Sequence, residues 1–111
     1  MLGCRLAIVP ADPFGVIDLV KAGADGIRVA GWAIDPNTGN PIDVHIYVGS
    51  IGTPLAADRD RADLAAVYPS SGTKHGFDTV VAGRAGQTVC VYAINAGPGA
   101  NQTLGCRVAT A

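Results

Sequence analysis

The sequence is short of charge: only 15% of its 111 residues are Asp, Glu, Lys or Arg, and the formal net charge is −1. With no excess of Lys and Arg there is nothing to track a phosphate backbone, so a nucleic-acid partner is not expected. Long hydrophobic runs are missing too. No stretch approaches the roughly 20 apolar residues that cross a bilayer as a helix, so no membrane span is expected. Residues 1–13 are too short and too weakly apolar for a secretory signal peptide. Aromatic residues are scarce, with one Trp, three Tyr and two Phe to share between core and surface. The sequence has no G-x-S-x-G nucleophile elbow. Its three Cys and two His contain no C-x-x-C zinc spacing. The reading is therefore of a chain that is not an enzyme and carries no cofactor.

What is plentiful is apolar residues, at 49%, together with 15 Gly and 7 Pro. Such a composition argues against disorder. The length suits one ordinary domain. The Gly and Pro fall between short apolar runs, as turns between short strands do. Residues 3–9 and 14–20 read as strands, with 21–26 as a turn. Residues 26–34 alternate, placing Ile27, Val29 and Gly31 on one face and Arg28, Ala30 and Trp32 on the other. A bulge at Gly31 is expected to turn Trp32 inward, because so few aromatic residues are available to fill a core. Residues 35–41 are dense in turn formers. The clearest strand is 43–48, with Val44, Ile46 and Val48 facing one way and Asp43, His45 and Tyr47 the other. A hairpin at 49–52 leads to a return strand at 53–57.

Residues 60–68 break the alternation. Asp60 is placed to cap a short helix, Asp63 sits near its positive end, and Leu64, Val67 and Tyr68 share one face. Pro69 stops it. This helix is expected to cross between two sheets. Further strands fall at 77–81, 87–95 and 102–110. Seven or eight short strands at near-regular spacing predict an all-β, antiparallel sandwich with one short crossing helix.

Cys90 and Cys106 are symmetric about Pro98, the centre of a Gly/Pro loop. In a symmetric hairpin they lie opposite one another, with Cβ atoms about 4.5–5.5 Å apart. They form a cross-strand disulfide in an oxidising setting, or two small thiols packed side by side otherwise. Cys4 is left over. Its context, Leu2-Gly3-Cys4-Arg5-Leu6-Ala7, matches Leu104-Gly105-Cys106-Arg107-Val108-Ala109 at every position but one. Two readings stand: the tail of a preceding copy of the domain, or one strand motif used at both ends. Under the first, Cys4 has lost its partner and is a candidate free thiol or intermolecular link. Residues 1–9 are thus an extra strand or linker, with the domain proper at 10–111.

The remaining polar residues give little chemistry. Asp43 and His45 on one strand face could begin a hydrolase triad, but lack an identifiable Ser; with Tyr47 they form a candidate binding face. His75 marks a strand entrance. The loop at 35–40 faintly resembles a calcium loop, but Ile46 stands where the closing Glu is needed. Asp58, Arg59, Asp60, Arg61 and Asp63 make a self-neutralising charge run.

Several motifs together resemble a bacterial Ig-like β-sandwich module. They are Gly26-Ile27-Arg28-Val29-Ala30-Gly31-Trp32-Ala33-Ile34-Asp35-Pro36, Pro41-Ile42-Asp43-Val44-His45-Ile46-Tyr47-Val48, His75-Gly76-Phe77-Asp78, Cys90-Val91-Tyr92-Ala93-Ile94-Asn95 and Leu104-Gly105-Cys106-Arg107. The resemblance spans roughly residues 10–110. It departs at Ala62, where the family pattern has Pro. The module is repeated in large secreted actinobacterial proteins beside cell-wall hydrolases, and similar domains decorate phage virions. The resemblance implies an accessory role and carries over no catalytic residue. A chain that begins at Met1 without a signal peptide fits a non-catalytic structural or attachment protein of an actinobacterial phage virion, as a capsid or tail decoration. The alternative is a cell-envelope binding module of a secreted hydrolase or adhesin. Its location is then a virion surface, or the extracellular face of an envelope. The expected partner is a protein or a cell-surface polymer, with self-association through residues 1–9.

Overall fold

A computed structural model describes residues 12–36, 38, 40–67, 72–96 and 100–111, the side chains of 65 and 67 excepted. Residues 1–9, with Cys4 and the first copy of the hexapeptide, lie outside the described residues, as does Tyr68. Among the described residues, eight strands and one helix follow in the order β1 (Phe14–Gly23), β2 (Gly26–Ile34), β3 (Ile42–Val48), β4 (Ile51–Ala57), β5 (Arg59–Asp60), α1 (Ala62–Val67), β6 (Lys74–Val81), β7 (Thr88–Ala93) and β8 (Gln102–Val108). They form two four-stranded antiparallel sheets, β1-β2-β6-β5 and β4-β3-β7-β8. The chain is an all-β sandwich, and this strand order is the one immunoglobulin-like domains use, with an extra strand on the edge of the second sheet.

Alternation builds the core. In β3, Ile42, Val44, Ile46 and Val48 are buried while Asp43 and Tyr47 are exposed. In β7, Val89, Val91 and Ala93 are fully buried. They meet Ile17, Val20, Ile27, Val29, Phe77 and Val81 of the first sheet in one apolar cluster. Each such Val, Ile or Phe contributes roughly 1.5–3 kcal/mol by leaving water. Close backbone approach is built in at Gly31. A Cβ there would meet the Val16 carbonyl and lie 2.9 Å from the Phe77 ring.

Three expectations need correction. First, β2 carries no bulge at Gly31. The register shift falls in β1, between Ile17 and Leu19. Alternation in β2 therefore runs on through Trp32, which lies half-buried on the outer face of the first sheet, edge-on to Phe14 at 5.8 Å. Aliphatic residues and Phe77 fill the interior instead. Second, Asp60 belongs to β5 and α1 begins at Ala62, so Arg61 rather than Asp60 precedes the helix. The Arg61 carbonyl accepts the Leu64 N–H at 3.0 Å. Third, α1 does not cross between the sheets. The crossing is made at Asp58, between β4 and β5, and α1 then joins β5 to β6 within the first sheet. Leu64 is its buried anchor, at 3% exposure.

The β1 edge is partly covered. Lys21 makes a parallel bridge with Thr110, and the Ala22 N–H donates to the Thr110 carbonyl at 2.8 Å. The C-terminal residues thus close one corner of the sandwich.

Candidate functional site

The outer faces of the two sheets carry different chemistry. On the first, Arg28 makes two hydrogen bonds to Asp78, at 2.9 and 2.6 Å. Arg61 holds Asp63 through two further bonds, at 3.0 and 2.9 Å, and reaches Asp18 of β1 at 2.8 Å. Its stem runs over Gly76 of β6, where an added Cβ would meet Arg61 Cγ at 2.6 Å. The extra residue of the β1 bulge supplies the carboxylate that Arg61 reaches. These contacts set the local electrostatics. The hydrogen bond from Arg61 holds the Asp63 carboxyl below the usual carboxylate range. The bond from Arg28 does the same for Asp78. Arg28 and Arg61 are both held in the charged form by their carboxylate partners.

The second sheet's outer face has few charges and carries the exposed Tyr47 ring. Cys90 pairs with Cys106 across β7 and β8, and the two form a disulfide with Cα atoms 4.0 Å apart. The pairing is symmetric about Pro98, as the spacing predicts. One register shift between Val91 and Tyr92 displaces the pairs nearer the loop, so Tyr92 faces Thr103. The next strand sets Tyr47 beside Cys90 and His45 beside Tyr92. One row thus reads Gly52, Tyr47, Cys90, Cys106, and the adjacent row Pro54, His45, Tyr92, Thr103. The Tyr47 and Tyr92 rings meet edge to face with centroids 5.6 Å apart, a favoured aromatic geometry. Gly52 leaves room for this. A Cβ at that position would lie 2.7 Å from the Tyr47 ring.

A shallow groove of about 400 Å³ runs along this face, lined by His45, Tyr47, Cys90, Tyr92, Ile94 and Asn101. The loop bearing Asn101 is pinned on several sides. The Ala100 N–H and the Gln102 side-chain amide donate to the two Asp12 oxygens, both at 2.9 Å. The Ala96 N–H donates to buried Asp35 at 2.7 Å. The Asn95 N–H donates to Asn101 Oδ1 at 2.7 Å. The Asp35 carboxylate, part of the loop that resembled a calcium site, is thereby a structural acceptor at the end of β2.

Of the residues singled out from sequence, Asp43, His45 and Tyr47 do share the outer face of β3. The groove takes His45 and Tyr47 but not Asp43. No hydrogen bond joins Asp43 to His45 among the described residues. His75 is buried at the start of β6, remote from this face. Among the described residues no group of three or more His, Cys, Asp or Glu is placed to hold a metal ion, and no helix is long and apolar enough to cross a membrane. Sequence reasoning missed Tyr92 and Asn101. Tyr92 was within reach, since alternation from an outward Cys90 puts it on the same face. Asn101 was not, because its place depends on the carboxylates of Asp12 and Asp35, distant in sequence. Comparison with known proteins found no matching family model, no matching curated protein and no matching solved structure.

Proposed function

We propose that this chain is a non-catalytic attachment module exposed on the outside of a larger assembly, with the outer face of the second sheet as its working surface. One observation carries the reading. That face combines an ordered aromatic pair with a groove whose rim is fixed by hydrogen bonds and whose lining includes disulfide-bonded Cys90. Rigid aromatic side chains with a polar end bind partners at low entropic cost. A structural disulfide suits a surface outside the reducing cytosol. The virion of an actinobacterial phage is the setting proposed first, with the module as a capsid or tail decoration. A cell-envelope binding module of a secreted hydrolase or adhesin is the second setting, and the groove favours it because a polymer strand fits a shallow cleft.

Co-sedimentation tests the proposal. The purified chain is incubated with purified virions and, separately, with purified actinobacterial cell walls. Retention by virions supports the first setting and retention by walls the second. A chain that stays in the supernatant with both contradicts attachment.

A further inference from the structure

A second groove of about 420 Å³ adjoins the first on the outer face of the second sheet. The two share Tyr47, Gly49 and Cys90, and the second extends to Gln87 and Thr88. Together they form one cleft with Tyr47 standing at its middle. We propose that this cleft binds a linear, uncharged glycan, with a disaccharide-sized subsite on each side of Tyr47. The proposal rests on the attachment reading and names its ligand class.

Size selects a small or strand-like ligand. Each half is near the lower end of the roughly 300–1,000 Å³ typical of small-molecule clefts. A stable protein partner would instead need a contact patch of about 800 Å². Charge selects a neutral one. Among the described residues no Asp, Glu, Lys or Arg lines either half. An acidic polymer would find no cation to meet it, whereas a neutral one loses no charge hydration on entering. Sugars combine an apolar C–H face with a rim of hydroxyls, and the cleft offers both complements. The exposed Tyr47 ring, braced edge-on by Tyr92, supplies an apolar platform.

The hydroxyl complement lies at the two ends. Asn101 Oδ1 accepts the Asn95 N–H at 2.7 Å, and Gln87 Oε1 accepts the Arg84 N–H at 2.8 Å. A backbone N–H must face the carbonyl oxygen of each carboxamide, so each NH₂ is left as a donor with its orientation set. The same chemistry therefore recurs in each half, which is what a repeating ligand requires. Both ends are anchored. The Gln87 carbonyl accepts the Ala109 N–H at 2.9 Å, and Asp12 ties down the neighbours of Asn101. Preorganisation of this kind lowers the entropic cost of binding.

The test is an amide and side-chain NMR titration of the full chain with neutral hexasaccharides of glucose, mannose, galactose and N-acetylglucosamine. An acidic galacturonate hexamer and the matching neutral disaccharides are run beside them. At least one neutral hexamer is expected to shift Tyr47, Gly49, Tyr92, Gln87 and Asn101 together. Its disaccharide should bind about tenfold more weakly, since it fills only one half. Tyr47→Ala should weaken the hexamer about tenfold, Tyr47→Phe should keep it, and Asn101→Ala should weaken it with the disulfide intact. Three results overturn the proposal: no shift with any neutral hexamer, shifts confined to the first sheet, or equal binding of the acidic hexamer. If the chain sediments with virions or walls yet binds no neutral hexamer, the glycan fails and attachment stands. If it binds a neutral hexamer but sediments with neither, attachment to those surfaces fails and the glycan stands.

Discussion

The two sheets share one core but are secured differently. The first is laced on the outside by ion pairs: Arg61 joins the α1 entrance to β1, and Arg28 joins β2 to β6. The second is tied at its edge by a covalent bond between β7 and β8. The ion pairs occupy their face, leaving little free chemistry there. The disulfide takes only the β7–β8 end of its row, so the rest of that row stays open for Tyr47 and the adjoining row for His45 and Tyr92. A covalent tie at the edge is thus compatible with a working surface in a way that a charge network across a face is not.

This contrast can be broken at several points. The shared core should give the largest effect. Ile46→Ala in β3 and Phe77→Ala in β6 should each cost about 2–5 kcal/mol, from lost transfer energy and the cavity left behind. Denaturant unfolding should show one transition for either variant, because both residues belong to the same cluster. Two separate transitions would mean that the sheets unfold independently.

Next is the tie itself. The disulfide closes a loop with a sequence separation of 16, so Cys90→Ser combined with Cys106→Ser should cost about 3 kcal/mol. Hydrogen exchange should then rise in β8 before β1 or β2. Arg61→Ala should cost less than that pair of substitutions, since its contacts are largely exposed, and raised salt should shrink the difference from wild type.

The ion pairs also predict a pH response. Asp63 and Asp78 have folded carboxyl pKa values below their unfolded ones. Their contribution is present above the ordinary carboxylate range, near 4. It is lost as pH falls through the lowered folded values, because the unfolded chain takes up protons first. Acid titration should loosen the first sheet's outer face while the disulfide stays intact. Asp78→Asn should flatten that part of the profile. The smallest stability effect belongs to Tyr47→Ala. It removes one exposed ring and an edge-to-face pair, worth about 0.5–1.5 kcal/mol, and is read as a small fall in the unfolding midpoint.

Much of this architecture was legible in the sequence. Strict alternation in β2 and β3 gave the inward and outward faces directly, because a strand places every second side chain on one side. The symmetric placement of Cys90 and Cys106 about a Gly/Pro loop gave the hairpin register. Trp32 was misjudged on a composition argument. Scarcity of aromatics suggested that the core needed it, whereas Ile, Val and one Phe suffice. The bulge that matters lies in β1 beside Asp18, and nothing local in that sequence announces it; its partner, Arg61, is 43 residues away. Half of the candidate site was likewise hidden. Asn101 and Gln87 are ordinary loop residues until Asp12, Asn95 and Arg84 fix them, and those contacts exist only in the folded chain.

The central claim is that attachment belongs to the outer face of the second sheet and not to that of the first. Co-sedimentation with virions or cell walls tests it most directly, comparing a Tyr47→Ala, Tyr92→Ala double variant with Arg28→Ala, each first shown to be folded and disulfide-bonded. Retention of Arg28→Ala at the wild-type level, with loss of the tyrosine variant, is the predicted result. Equal retention of both, or loss on the first face alone, would contradict the account.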